Sequence, residues 1–217
     1  MQSMTTLIFD LDGTLIDTTG AVFPAFRETL RSFGAPVPQS EVMAKTFGLP
    51  DVEIWKMLMP NHSTDERTAA FQMSERLVLE NLRSQDVLLP GAMETLSQLK
   101  GFGHLLTVAS NCGDGYLNTV LDSQGLREFF THPLCLGTVK GDAKSDILTE
   151  HFLRLDKRHA VMIGDRSSDG VAAKAHNIPF VGCAFGFGNA AELDLADVVI
   201  SQLTDLVTLF PAGEPRI

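Results

Sequence analysis

Short apolar runs recur along the chain at 5–10 (TTLIFD), 104–110 (HLLTVAS), 160–164 (AVMIG) and 178–182 (IPFVG). Each is too short for an ordinary helix and gives way at once to Gly, Asp, Ser or Asn, the pattern of buried parallel strands. Between and after them, 91–101, 114–124, 143–156, 168–176 and 201–210 carry helix-like patterning, the first opening after Pro90 and the second closing at Gly125. Strand-then-helix alternation predicts an α/β fold with a parallel sheet, in which ligands bind beyond the carboxyl ends of the strands.

The alternation stops between 18 and 86. Val22, Phe26, Leu30 and Phe33 form one helical stripe, Ile54, Met57 and Leu58 a second, and Phe71, Val78 and Leu82 a third, whose start at Ser63 with Glu66 has capping-box spacing. Turn material at 34–40, 48–51 and 60–63 joins them. The expected organisation is an α/β core domain from 1–17 and 87–217 and an all-helical cap over 18–86, placed to overhang the end of the first strand. Trp55, Met43, Met57, Met59 and Met73 are expected in the core of the insert, since Met fills irregular gaps. The stretch Phe47-Gly48-Leu49-Pro50 reads equally well as a loop reaching a substrate and as a plain turn between helices.

A chain of 217 residues with 44% hydrophobic content can build such a pair of domains. Cys112, Cys135 and Cys183 are too few and too scattered for a disulfide framework and lack metal-knuckle spacing, so reduced, mostly buried thiols are expected. A net charge of -10 argues against a nucleic-acid partner, which needs clustered Lys and Arg. No apolar run approaches the roughly 20 residues of a spanning helix, and no charged leader precedes the first strand, so a cytoplasmic protein without a membrane partner is expected. The six histidines (62, 104, 132, 151, 159 and 176) show no ligand spacing and are expected on the surface or packed in the core.

The chemistry is concentrated at strand ends. LIFDLDGTLID, residues 7–17, gathers Asp10, Asp12 and Asp17 where the chain leaves its first strand. Three more elements follow at comparable places: Ser110-Asn111 after HLLTVA, Lys144 at the head of a helix, and Gly164-Asp165-Arg166-Ser167-Ser168-Asp169 after AVMI. Asp10 and Asp165 are hard oxygen donors suited to Mg²⁺, and such a cation offsets their repulsion and lets a phosphate dianion approach. Asp10 then suits the role of nucleophile forming an aspartyl phosphate. Asp12, two residues on, can serve as general acid and then as base for water. Gly13 allows a backbone turn with loop amides on the phosphate, Ser110 offers a hydroxyl and Lys144 a compact positive charge. Lys144 is preferred to Lys140 because Ile147, Leu148, Phe152 and Leu155 begin a helical stripe just after it. Arg166 fits equally a salt bridge in the site and a place in solvent.

The set DLDGT, SN, Lys and GDRSSD, in that order, resembles the haloacid dehalogenase superfamily, specifically its phosphoglycolate phosphatase-like hydrolases with an α-helical (C1-type) cap inserted after the first motif. The resemblance runs from Thr6 to about Thr208 and takes in Pro90-Gly91 and Phe185-Gly186-Phe187-Gly188. It implies a haloacid dehalogenase-like Rossmannoid core and a Mg²⁺-dependent phosphatase acting on a small phosphorylated metabolite. It assigns Asp10 as nucleophile and metal ligand, and Asp12 as acid/base with its backbone carbonyl on the metal. Ser110, Asn111, Lys144 and Gly13 would serve phosphate binding, Asp165 would complete the metal site, and Asp169 would support the metal indirectly. Ser110-Asn111-Cys112-Gly113 departs from the Thr-Asn-Lys expected of a typical phosphoglycolate phosphatase. The competing readings are a β-phosphoglucomutase-like phosphomutase, a phospho-acceptor domain and a non-catalytic relative. Monomer and homodimer are both left open.

Overall fold

The computed structural model describes residues 4–49 and 51–212. Pro50, the last residue of the Phe47-Gly48-Leu49-Pro50 stretch, and the outer ends of the expected core domain, 1–3 and 213–217, lie outside the described residues. The chain divides into two compact units, one of Met1–Asp17 with Leu88–Ile217 and one of Thr18–Val87.

The larger unit is the expected α/β fold. Strands β1 (Thr6–Phe9), β2 (Leu105–Ser110), β3 (Leu134–Cys135), β4 (Ala160–Gly164), β5 (Phe180–Cys183) and β6 (Val198–Ile200) form a six-stranded sheet in the order β3-β2-β1-β4-β5-β6. Every pairing is parallel. The strand order reverses at β1, and a crevice opens at such a switch point outside the carboxyl ends. Alternation along β1 sends Leu7 and Phe9 to one face and Ile8 to the other. Ile8 packs into a cluster with Met162, Ala109, Ile147, Ala172 and Phe180, while Phe9 meets the Phe130 ring edge-on at 6.1 Å. The short β3 and β6 were not expected from the sequence. Two and three residues are too few for an apolar run to stand out.

The helices of this unit are α5 (Ala92–Gly101), α6 (Asp114–Ser123), α7 (Leu136–Val139), α8 (Lys144–His151), α9 (Ser167–Ala175) and α10 (Asp205–Leu209), numbered after the four of the other unit. Two are shorter than the sequence suggested. The stretch 143–156 leaves the helix at His151, where Arg154 N–H turns back to the His151 carbonyl at 3.0 Å. The stretch 201–210 begins its helix only at Asp205, whose carboxylate accepts the Ser201 and Gln202 N–H groups at 3.1 and 3.2 Å.

The helical unit contains α1 (Thr19–Ser32), α2 (Ser40–Ala44), α3 (Asp51–Leu58) and α4 (Thr64–Ser84). The capping box at Ser63 and Glu66 is present, with the Ser63 N–H donating to Glu66 at 2.7 Å. Trp55 is buried with its ring 5.4 Å from Phe26, and Met43 and Met59 are fully buried. The stripe expected on α3 is rotated by one position. Trp55 and Leu58 face inward and Met57 is exposed, because the wide indole takes the core position.

Among the core residues, His151 has its Nε2 2.9 Å from the Val108 carbonyl. A carbonyl only accepts, so Nε2 carries the proton, and the buried Nδ1 has no partner. Burial, with His132 nearby, pushes the imidazole pKa down to about 4. Because the folded value lies below the unfolded one near 6.5, the neutral form contributes its full stability above that pH and loses it as pH falls towards 4. The loss is expected to reach roughly 3 kcal/mol. As pH is lowered across that window, the denaturant midpoint of the native chain should lose ground relative to that of His151→Gln, which keeps a donor for Val108 and lacks the titrating ring.

Candidate active site

The site forms where β1, β2 and β4 end. Asp10 is the first residue past β1, and its N–H donates to the Ile163 carbonyl of β4 at 2.8 Å, which fixes the backbone at the switch point. Gly13 follows with φ +77, a conformation that side chains rarely adopt, and a Cβ there would run into the Asp165 carboxylate. Asp165 follows β4 and Asp169 lies in the first turn of α9, where its Oδ2 accepts the Arg166 N–H at 3.0 Å. Lys144 opens α8. Its ammonium lies 2.8 Å from Asp10 Oδ1 and also pairs with Asp169 Oδ1, with all three side chains almost wholly buried. Lys140, by contrast, is exposed in a left-handed conformation past the end of α7.

Asp10, Asp165 and Asp169 each present an oxygen to one space, the three atoms lying within 4.8 Å of one another. Lys144 directly contacts Asp10 and Asp169, one cation beside three buried carboxyl groups. Burial, and then repulsion from Asp10, push the Asp165 carboxyl up to about 6 against the pull of the Gly188 and Phe187 N–H groups. Burial likewise raises Asp169, with Lys144 pulling the other way. Burial alone would lower the Lys144 ammonium, yet its attraction to Asp10 and Asp169 holds its pKa well above the ordinary lysine value. The donor set fits a hard divalent cation: it is all oxygen, and Asp165 Oδ1 is buried without a hydrogen-bond partner.

The reason that oxygen is left alone lies in a loop whose function the sequence did not indicate. Phe187 and Gly188 both donate their N–H groups to the other oxygen, Asp165 Oδ2, at 2.6 and 3.1 Å. The loop is anchored through Glu192, which accepts the Ser167 N–H at 2.8 Å and pairs with Arg166 at 3.0 Å. Gly186 lies directly over Asp165, and a Cβ there would overlap its side chain. Gly186→Ala should therefore displace the carboxylate and weaken divalent-cation binding by roughly 10–100-fold. Calorimetric titration of the purified variant with Mg²⁺ measures it, and unchanged affinity would mean that the loop does not position the ligand.

The remaining expected residues are placed as follows. Ser110 ends β2, buried, with its Oγ accepting the Cys112 N–H at 3.4 Å. The Asn111 Oδ1 is buried without a hydrogen-bond partner. The carboxylate of Asp12 is not part of the three-oxygen cluster. Its Oδ1 accepts the Tyr116 hydroxyl at 2.6 Å, a contact from α6 that no spacing in the sequence signals. Asp17 is exposed and stands apart from the cluster.

A parallel sheet with the reversal at β1, an acidic pocket at the strand ends and a buried lysine across from it define a class, and sequence comparison agrees. The chain belongs to the haloacid dehalogenase-like hydrolases, whose family profile matches residues 7–183. Within that family it is phosphoglycolate phosphatase-like, as its sequence suggested. It is 29% identical over 209 residues to the probable phosphatase IndB of Dickeya dadantii (93% of this chain, 91% of that protein). To the phosphoglycolate phosphatase of Agrobacterium fabrum it is 28% identical over 221 residues (94% and 90%). The crystal structure of a predicted phosphoglycolate phosphatase from Haemophilus somnus superposes with a TM-score of 0.87 at 19% identity, covering 96% of this chain and 98% of that one. Among the described residues no helix is long and apolar enough to cross a membrane.

Proposed function

We propose that this hydrolase is a Mg²⁺-dependent phosphatase that cleaves a small phosphorylated metabolite through an aspartyl phosphate on Asp10. The observation that carries the reading is the buried, unpartnered Asp165 Oδ1 beside the Asp10 and Asp169 oxygens and the Lys144 ammonium. In this reading Asp10, the Asp12 backbone carbonyl and Asp165 hold Mg²⁺. Bound there, the cation offsets the carboxylate charge and polarises the phosphoryl oxygens. The Ser110 hydroxyl and Asn111 amide donate to the phosphate oxygens, with the loop at Gly13 on the other side, and Lys144 balances their charge. Asp10 attacks phosphorus as the ester bond breaks, and Asp12 passes its proton to the departing oxygen. Asp12 then takes a proton from water as that water attacks phosphorus, and the bond to Asp10 breaks. Tyr116 holds the Asp12 carboxylate for both transfers. Asp169, with one oxygen on Lys144 and the other on the Arg166 N–H, acts by fixing the lysine. The unit Thr18–Val87 is the helical cap domain in this proposal.

Phosphate release from a generic aryl phosphate, followed by a panel of phosphorylated metabolites, tests the reading. Chelation of divalent ions should lower the rate by at least about 100-fold, since a metal supplies several kcal/mol of charge stabilisation, and Mg²⁺ should restore it. An undiminished rate in chelator would reject the metal.

A further inference from the structure

The three cysteines are spread over the sequence, yet two of them meet beside the phosphate-binding loop. Parallel pairing of β2 and β3 puts Ser110 opposite Cys135, and Cys112 follows two residues later. The loop and the strand end are pressed together beyond that pair. The Gly137 N–H donates to the Cys112 carbonyl at 3.2 Å, and a Cβ on Gly137 would come within 2.9 Å of Gly113 Cα. The Cys112 and Cys135 thiols are neighbours, and Cys135 Sγ lies 3.1 Å from Thr138 Oγ1. Cys112 is partly exposed and Cys135 is buried behind it, while Cys183 lies buried elsewhere.

We propose that Cys112 and Cys135 form a redox-active pair that closes to a disulfide on reaction with a small disulfide and, by drawing the Ser110–Gly113 loop aside, switches hydrolysis off. The chemistry of the pair is divided to suit this. Hydrogen bonding from Cys112 and Thr138 lowers the Cys135 thiol to about 6, whereas its bond to Cys135 and burial raise Cys112. The pair therefore holds one thiolate at neutral pH. Cys112, the partly exposed residue of the two, passes its proton to the Cys135 thiolate as it attacks RSSR. That S–S bond breaks, RS⁻ leaves, and a mixed disulfide remains on Cys112. Cys135 gives the proton to that RS⁻ and attacks Cys112 Sγ, the protein S–S bond forms and a second RS⁻ leaves. One thiol, one thiolate and RSSR thus give one protein disulfide, one RSH and one RS⁻.

A disulfide needs its sulfurs near 2.05 Å, much closer than two non-bonded sulfurs approach, so the loop must move towards β3. Cys112 N–H is bonded to Ser110 Oγ, and α6 with Tyr116 begins just beyond, so the phosphate donor and the Asp12 contact move with it. Displacements of about 1 Å at reacting groups cost on the order of 100-fold. This regulatory step rests on the phosphatase reading of the site, whereas the disulfide itself does not.

The test is to incubate the full chain with oxidised glutathione, count free thiols, map the linked peptides without reduction, and assay aryl phosphate hydrolysis before and after dithiothreitol. The expected result is a fall from three free thiols to one, a Cys112–Cys135 linked peptide, and at least a tenfold loss of rate that dithiothreitol reverses. Cys135→Ser should keep the reduced rate and resist the oxidant. Three free thiols after oxidation, or only glutathionylated Cys112, would overturn the pair. A linked peptide with unchanged rate would overturn the switch. A reduced enzyme that forms the linked peptide but hydrolyses no phosphate ester in Mg²⁺ would overturn the phosphatase reading, and the switch with it, while leaving the disulfide standing.

Discussion

Asp10→Asn is expected to lower phosphate release by at least about 10³-fold while leaving the fold in place, because an amide cannot take the nucleophile's role proposed for Asp10. The substitution keeps the shape of the side chain and its position past β1, where the backbone bond to Ile163 is unaffected. It removes one ion pair of Lys144, but the second, to Asp169, remains, and one source of repulsion on Asp165 disappears. These changes oppose each other, so the melting temperature should shift little. Acid quenching during turnover should trap a hydroxylamine-sensitive phosphoprotein in the native chain and none in the variant. A variant that retained the native rate would move the nucleophile elsewhere.

Lys144→Met should be damaging in two respects. The lysine is the cation that directly pairs Asp10 and Asp169 in a buried space, and removing one partner of a buried ion pair costs about 3–5 kcal/mol through the charge left behind. Its loss also takes away the charge proposed to balance the phosphoryl oxygens, a role whose removal costs on the order of 10²–10³-fold in rate. The metal-free variant should therefore melt well below the native chain, and added Mg²⁺ should raise its melting temperature more than it raises the native one, since the ion then supplies the missing charge. Equal melting temperatures without metal would mean that the carboxylates hold protons in place of the lysine.

The parts of the fold that could be read from the sequence share a physical cause. TTLIFD and AVMIG are apolar because both faces of β1 and β4 are covered, and Asp10 and Asp165 follow them because a parallel sheet exposes its strand ends to one crevice. Residue type and place therefore spoke together. Tyr116 could not be found this way, since 104 positions separate it from Asp12. The Phe187 and Gly188 donors are backbone groups, which every residue but proline carries, so their identity gave no sign of the Asp165 contact. The meeting of Cys112 and Cys135 depended on β3, a strand of two residues that leaves no pattern to read.

The place of β1 in the sheet also bears on how the chain folds. The first strand made is an inner one, yet its partners β2 and β4 are supplied only after roughly one hundred and one hundred and fifty further residues. During synthesis the Leu7–Phe9 segment must wait, apolar and unpaired, while the helices of Thr18–Val87 emerge whole and can close their own contacts. One side of β1 thus stays open until Ala160–Gly164 has been made, and its closure is a long-range pairing of the kind that slows folding and leaves a nascent chain exposed to aggregation.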